Sequence, residues 1–99
     1  NVFDAGLAQT LCGMEGTFSL RPEHIRLNEH GDVQVQGVVQ AVQYQGAATR
    51  LELRLADGAK LLVSQANFSD VSPLSGIAPG QAVMASWSRD AMIRLHEER

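Results

Sequence analysis

At 99 residues, 44% hydrophobic and 19% charged, the chain is long enough to bury one core but not two, and its composition is neither disordered nor fibrous. Its formal net charge of −3 argues against a nucleic-acid partner, whose phosphates call for a basic surface, and no apolar run approaches the ~18–20 residues of a membrane span. The single cysteine, Cys12, excludes an internal disulfide scaffold and favours a cytoplasmic setting.

The first residue is Asn1 rather than Met, and no secretory signal pattern opens the chain, so a processed form or a piece of a longer protein is expected. The first segment with a distinct local signature is Ser19-Leu20-Arg21-Pro22-Glu23-His24-Ile25-Arg26-Leu27. Pro22 fixes its own φ and pushes Arg21 into an extended conformation, so a strand should end at Arg21 and a tight turn begin at Pro22. Glu23 then falls near the free N–H groups of that turn, where a carboxylate is favoured. Two readings of Arg21 and Glu23 follow: a structural corner, which is preferred, or a contact surface for a partner.

From Asp32 the order Asp-Val-Gln-Val-Gln alternates polar and apolar and runs on through Gly37, Val38 and Val39 to Val42 and Tyr44. The apolar parity changes between Val39 and Val42, which predicts a bulge or bend that Gly37 would tolerate. Thr49 to Leu55 alternates again, with Leu51, Leu53 and Leu55 directed one way and Arg50, Glu52 and Arg54 the other. Asp57-Gly58 follows, a dipeptide suited to a two-residue hairpin turn, and Lys60 to Ser64 returns as the partner strand. Asn67 to Pro79 reads as a loop, and its Asn67-Phe68-Ser69 matches the glycosylation acceptor pattern, a short pattern that is usually accidental in intracellular proteins. Pro79-Gly80 turns into a strand over Gln81–Trp87, where Trp87 is expected to pack in the core. Ser88 to Arg99 suits a helix by composition and a short strand by the spacing of Ile93 and Leu95. Five to six short strands with Gly and Pro turns predict an all-β fold, a small OB-like barrel or sandwich forming one domain over residues 1–99.

The sequence shows no catalytic constellation. Neither GxxxxGK(S/T) nor GxGxxG occurs, so no phosphate-binding loop is expected. His24, His30 and His96 are too far apart for a short metal-ligand spacing, and Cys12 has no neighbour in sequence to activate it, so it reads as a small apolar filler. Five aromatic residues are too few for a base-stacking platform. Neither a catalytic residue, a cofactor ligand nor a metal ligand is expected.

The segment Leu20-Arg21-Pro22-Glu23-His24-Ile25-Arg26-Leu27 resembles the "RPE" segment of the transport-associated OB, or TOBE, domain found at the C-terminus of ATP-binding subunits of bacterial ABC importers. Gly37-Val38-Val39 and Tyr44-Gln45-Gly46-Ala47-Ala48-Thr49-Arg50 resemble its next motif, Asp57-Gly58 falls at its hairpin turn, and Pro79-Gly80-Gln81-Ala82-Val83 running into Ser86-Trp87 resembles its closing strand. Asn1-Val2-Phe3 is similar to the strand leading out of the ATPase domain. The stretch from Asn1 to Arg21 is shorter than in many members, and Gln45 stands where an apolar residue is common. The resemblance implies a turn near Arg89–Met92 followed by a strand at Ile93–Leu95. It singles out Arg21, Pro22, Glu23, Tyr44, Gly46, Asp57, Gly58 and Trp87 as motif, structural or partner-contact positions.

The resemblance also implies a role: assembly and regulation of an importer ATPase, with polyamine or iron(III) uptake the nearest type. ATP and Mg would be cofactors of a separate ATPase domain. Partners would be that domain, a second copy of the subunit and, through the ATPase domain, the transmembrane permease subunits, at the inner face of the bacterial membrane. The alternative is a free-standing OB-type module for a small oxyanion or an oligonucleotide, which fold alone permits. A phosphate loop encoded upstream of Asn1 separates the two.

Overall fold

The computed structural model describes residues 1–66 and 77–95. In chain order the elements are β1 (Val2–Phe3), α1 (Ala5–Cys12), β2 (Phe18–Ser19), a 3₁₀ turn (Pro22–His24), β3 (Arg26–Leu27), β4 (Val33–Gln45), β5 (Ala48–Leu55), β6 (Lys60–Ala66), β7 (Ala82–Trp87), a second 3₁₀ turn (Arg89–Ala91) and β8 (Ile93–Arg94). One antiparallel sheet has the order β3-β7-β4-β5-β6 and curls into a half-barrel; a second, of order β1-β2-β8, gathers the two ends of the chain. The architecture is all-β and OB-like, with one short helix added.

Alternation sets which face is buried. Val33, Val35, Gly37 and Val39 of β4 face inward, with Gln34, Gln36, Val38 and Gln40 outward. On β5, Leu51, Leu53 and Leu55 are buried and Arg50 and Arg54 exposed, as the period-2 pattern requires. The predicted irregularity in β4 is a register shift between Val39 and Ala41. Gly37 is not the residue that absorbs it. It sits on the core face, where an added Cβ would stand 3.3 Å from both Leu53 Cβ and Leu55 Cδ2.

The hairpin joining β5 and β6 differs from the expected two-residue turn. Gly58 N–H donates to the Leu55 carbonyl (2.9 Å) and Leu55 N–H to the Ala59 carbonyl (2.8 Å), which makes Ala56-Asp57-Gly58 a three-residue loop. Gly58 has φ +90° and Asp57 does not have positive φ. This is a turn closed by a glycine bulge, and it needs only one left-handed residue where the two-residue form needs two. The β4–β5 hairpin is the one with a two-residue loop: Gln45 pairs with Ala48, and Gly46 has φ +60°.

The helix α1 falls in a stretch that sequence reading left without an element. Asp4 Oδ1 accepts from Leu7 N–H (2.8 Å), and Gly13, left-handed at φ 66°, donates its N–H to the Gln9 carbonyl (3.0 Å). An Asp N-cap and a Gly stop enclose it. Over the described residues 88–95 the tail is, as the resemblance implied, a 3₁₀ turn and then a short strand, Ile93–Arg94, rather than a helix. Arg94 fastens it: its guanidinium donates to the Glu15 carbonyl (2.8 Å) and lies 5.4 Å from the Phe18 ring centroid. The expected loop from Asn67 lies largely outside the described residues, as do Asn67-Phe68-Ser69 and His96.

The core is one cluster in which β4, β5, β6 and β7 meet Phe3, Phe18, Leu20 and Ile25. Trp87 is 2% exposed, with its ring centroid 5.7 Å from that of Phe3. Cys12 is buried in the same cluster.

Candidate functional site

Pro22 opens a single 3₁₀ turn. Arg21 is extended at ψ 136°, and the turn closes with His24 N–H donating to the Arg21 carbonyl (3.0 Å) and Ile25 N–H to the Pro22 carbonyl (3.3 Å). Ile25, fully buried, roots the corner in the core. Arg21, Glu23, His24 and Arg26 are all exposed around it. The only ion pair among the described residues is Lys60 with Glu52, 3.2 Å apart on the outer face of the β5–β6 hairpin, so the corner is not held by a salt bridge between Arg21 and Glu23.

After the corner, β3 lies antiparallel to β7 with Arg26 opposite Ser86. Asn28, at φ 58°, ends that pairing: its N–H donates to the Met84 carbonyl (2.7 Å) and its side-chain oxygen accepts from Met84 N–H (3.1 Å). The chain then returns through His30 and Gly31 over the end of β7. A Cβ at Gly31 would stand 2.9 Å from the Trp87 nitrogen and 3.1 Å from its carbonyl oxygen, so only glycine allows this approach. Asp32 fixes the far side, its Oδ2 accepting from Ser88 Oγ (3.2 Å) and Arg89 N–H (3.1 Å).

These elements enclose an open cleft of about 450 Å³ whose lining includes Glu23, His24, Arg26, Asp32, Ser86 and Trp87. Ser86 Oγ and Trp87 Nε1 are buried, and neither has a hydrogen-bond partner among the described residues. His30 sits at the same cleft with its Nδ1 3.1 Å from Gln34 Nε2.

Of the positions read from sequence, the structure brings Glu23 and Trp87 to this one cleft. Arg21 and Pro22 stand beside it in the corner. Tyr44 and Gly46 belong to the β4–β5 hairpin, with Tyr44 exposed, and Asp57 and Gly58 form the β5–β6 turn. Sequence reading did not single out Gly31, Asp32, Ser86 or Ser88. The available signal was Gly31-Asp32 directly before a strongly alternating strand. Among the described residues no group of three or more His, Cys, Asp or Glu side chains converges on a possible metal position.

Cys12 stands apart from the cleft. Burial raises its thiol above the usual cysteine range, and the positive charge of Arg89 works in the opposite direction.

The TOBE domain family matches residues 18–95 of the chain. The uncharacterized ABC transporter ATP-binding protein YdcT of Escherichia coli is 62% identical over 99 residues, which are 100% of this chain and 29% of that protein. The spermidine/putrescine import ATP-binding protein PotA of Rubrobacter xylanophilus is 36% identical over 69 residues, 70% of this chain and 18% of that protein. The chain thus spans less than a third of the length of either relative. Among solved structures, the molybdate-bound form of the cytoplasmic molybdate-binding protein ModG superposes with a TM-score of 0.67 at 13% identity, covering 87% of this chain and 67% of that one. At that identity the likeness concerns the fold.

Proposed function

The chain belongs to the TOBE domain family, and from that premise we propose that it is the assembly and regulatory domain of an ABC importer ATP-binding subunit. The observation that carries this reading is the 62% identity, over the whole of these 99 residues, to an ABC transporter ATP-binding protein of which they match 29%. The remaining length is where an ATPase domain, with its ATP and Mg, would lie. The domain supports pairing of two such subunits and receives regulatory input, while the chemistry resides in its neighbour. The transported solute is a polyamine, a reading that rests on the likeness to a spermidine/putrescine import protein; iron(III) is the competing solute.

One surface feature supports an assembly role. In the small sheet, Val2 lies opposite Ser19 and Ser19 opposite Ile93, so the two apolar side chains share a face. Val2 is 66% and Ile93 52% exposed. Aliphatic side chains this open, on one face of the small sheet with Ser19 between them, suit a surface covered by the rest of the subunit.

The test is made on the longer coding sequence. A phosphate loop should be encoded before Asn1, and deleting these 99 residues should weaken ATP-dependent pairing of the subunits in sedimentation and lower uptake of labelled spermidine. An upstream sequence without a phosphate loop, or a truncated subunit that pairs and transports normally, contradicts the proposal. Lost iron(III) uptake with normal spermidine uptake would reassign the solute.

A further inference from the structure

We propose that the outer face of β4, β5 and β6 docks an acidic, partly apolar segment of a partner protein. Charge sets this face apart. The chain as a whole has a net charge of −3, yet the charged side chains that these three strands turn outward are Arg50, Arg54, Lys60 and Glu52. Lys60 is paired with Glu52. Arg50 and Arg54 are exposed and have no ion-pair partner among the described residues. Unpaired guanidiniums on one face of an otherwise acidic chain complement an anionic partner.

Cross-strand register sets an open aliphatic side chain beside each arginine. Val38 and Leu62 are both 39% exposed. Val38 lies opposite Arg54 on one side and Ala82 on the other, and the three line a groove of about 350 Å³. Leu62 lies opposite Glu52, in the row between Arg54 and Arg50. The two arginines are four residues apart on one strand, about 13 Å at a rise of about 3.3 Å per residue. An extended segment presents alternate side chains to the surface it lies on. The pattern acid-x-apolar-x-acid therefore matches the spacing, with carboxylates on the guanidinium forks and the apolar side chain on Leu62. Exposed Gln36, Gln40 and Gln43 of β4 supply neutral donors and acceptors for the polar groups of such a segment.

The amount of charge and the lack of aromatics select a polypeptide over other anions. Anionic lipid surfaces are held by clusters of about four to eight basic residues, more than this face carries. Single-stranded nucleic acid calls for aromatic stacking platforms. Tyr44, the one aromatic residue in these strands, lies opposite buried Thr49 and so belongs to the inner face. The proposal stands on the outer face alone and does not depend on the transport role.

The probe is a synthetic peptide repeating glutamate-serine-leucine-serine, titrated into the isotopically labelled 99-residue chain. Amide resonances of Arg50, Arg54 and Leu62 should shift saturably in the millimolar range or below, and added salt should weaken the binding. Arg50→Glu combined with Arg54→Glu should weaken it at least about tenfold and create affinity for the same peptide with lysine in place of glutamate. If that variant fails to fold, Arg50→Gln with Arg54→Gln, both at exposed positions, decides by the loss alone. Absence of saturable binding overturns the proposal, as do shifts confined to other surfaces or equal affinity in the arginine variants. Tighter binding of oligothymidylate, or of phosphatidylglycerol vesicles, at this face would replace the acidic polypeptide as its occupant and overturn the proposal as well.

Discussion

The side-chain amide of Asn1 pairs with the backbone of Leu62 as a neighbouring strand would: Nδ2 donates to the Leu62 carbonyl at 2.8 Å and Oδ1 accepts from the Leu62 N–H at 2.7 Å. β6 is the last strand of its sheet, so without Asn1 both groups would face solvent on an open edge. The backbone of Asn1 is fixed by Leu20, with a carbonyl–N–H bond of 2.8 Å, so the clasp joins the small sheet to the half-barrel.

Asn1→Ala should therefore destabilise the domain by about 1–3 kcal/mol, two exposed hydrogen bonds at about 0.5–1.5 kcal/mol each. The loss should be local as well as global. Hydrogen exchange of the Leu62 amide should accelerate more than that of Leu61 or Val63. Unchanged protection at Leu62 would show that the clasp contributes nothing in solution.

The β5–β6 loop gives a second test. Gly58 has φ +90°, with no atom within 4 Å of where a Cβ would stand. A substitution there meets no clash, so its cost is purely conformational. Gly58→Val should lower stability by about 1–3 kcal/mol, because a β-branched residue is poorly tolerated at positive φ. Gly58→Asn should cost visibly less, since Asn enters this region more readily. Equal melting temperatures for the two variants would exclude backbone strain as the cause.

How far the sequence disclosed this structure depends on how local each determinant is. Leu51, Leu53 and Leu55 declare their buried face within one strand, and the parity change after Val39 locates the bulge. Pro22 announces its corner because proline acts on its immediate neighbours. The helix α1 was missed because eight residues containing Gly6 and no charge carry little helical signal, although Asp4 and Gly13 mark its ends. The cleft was out of reach for a different reason. Arg26 and Ser86 meet only through the β3–β7 register, and Gly31 matters only because β7 ends beneath it. Those relations are tertiary, and no spacing along the chain encodes them.

Cys12 should behave as an inert thiol at neutral pH. Burial favours the neutral form and raises the pKa, against the smaller opposing pull of Arg89. The folded state holds its proton to higher pH than the unfolded chain does. This contribution to stability is thus complete below the ordinary thiol pKa of about 8.5 and is lost as pH rises from there through the higher pKa of the folded state. Alkylation by iodoacetamide should be slow near neutrality and increase only at alkaline pH, and Arg89→Gln should slow it further. A thiol that reacts at neutral pH as fast as free cysteine would contradict the assignment.

The last prediction concerns what holds the Pro22 corner. Two anchors are conceivable: a charged pair between Arg21 and Glu23, or the apolar root supplied by Ile25. Arg21 and Glu23 are exposed, and the only ion pair among the described residues lies elsewhere. Ile25 is fully buried in the central cluster, and its N–H closes the 3₁₀ turn on the Pro22 carbonyl. Gln65 adds a further tie, donating its amide to the Ile25 carbonyl at 2.7 Å. Ile25→Ala should accordingly cost about 2–5 kcal/mol, the range for a large aliphatic side chain removed from a core. Arg21→Ala should leave the melting temperature of the domain near that of the parent, as exposed charges generally do. The two variants should then separate again in the intact importer. Loss of regulation by Arg21→Ala at unchanged stability would make the corner a signalling surface, whereas a large loss of stability in Arg21→Ala would show that the charges, and not Ile25, secure it.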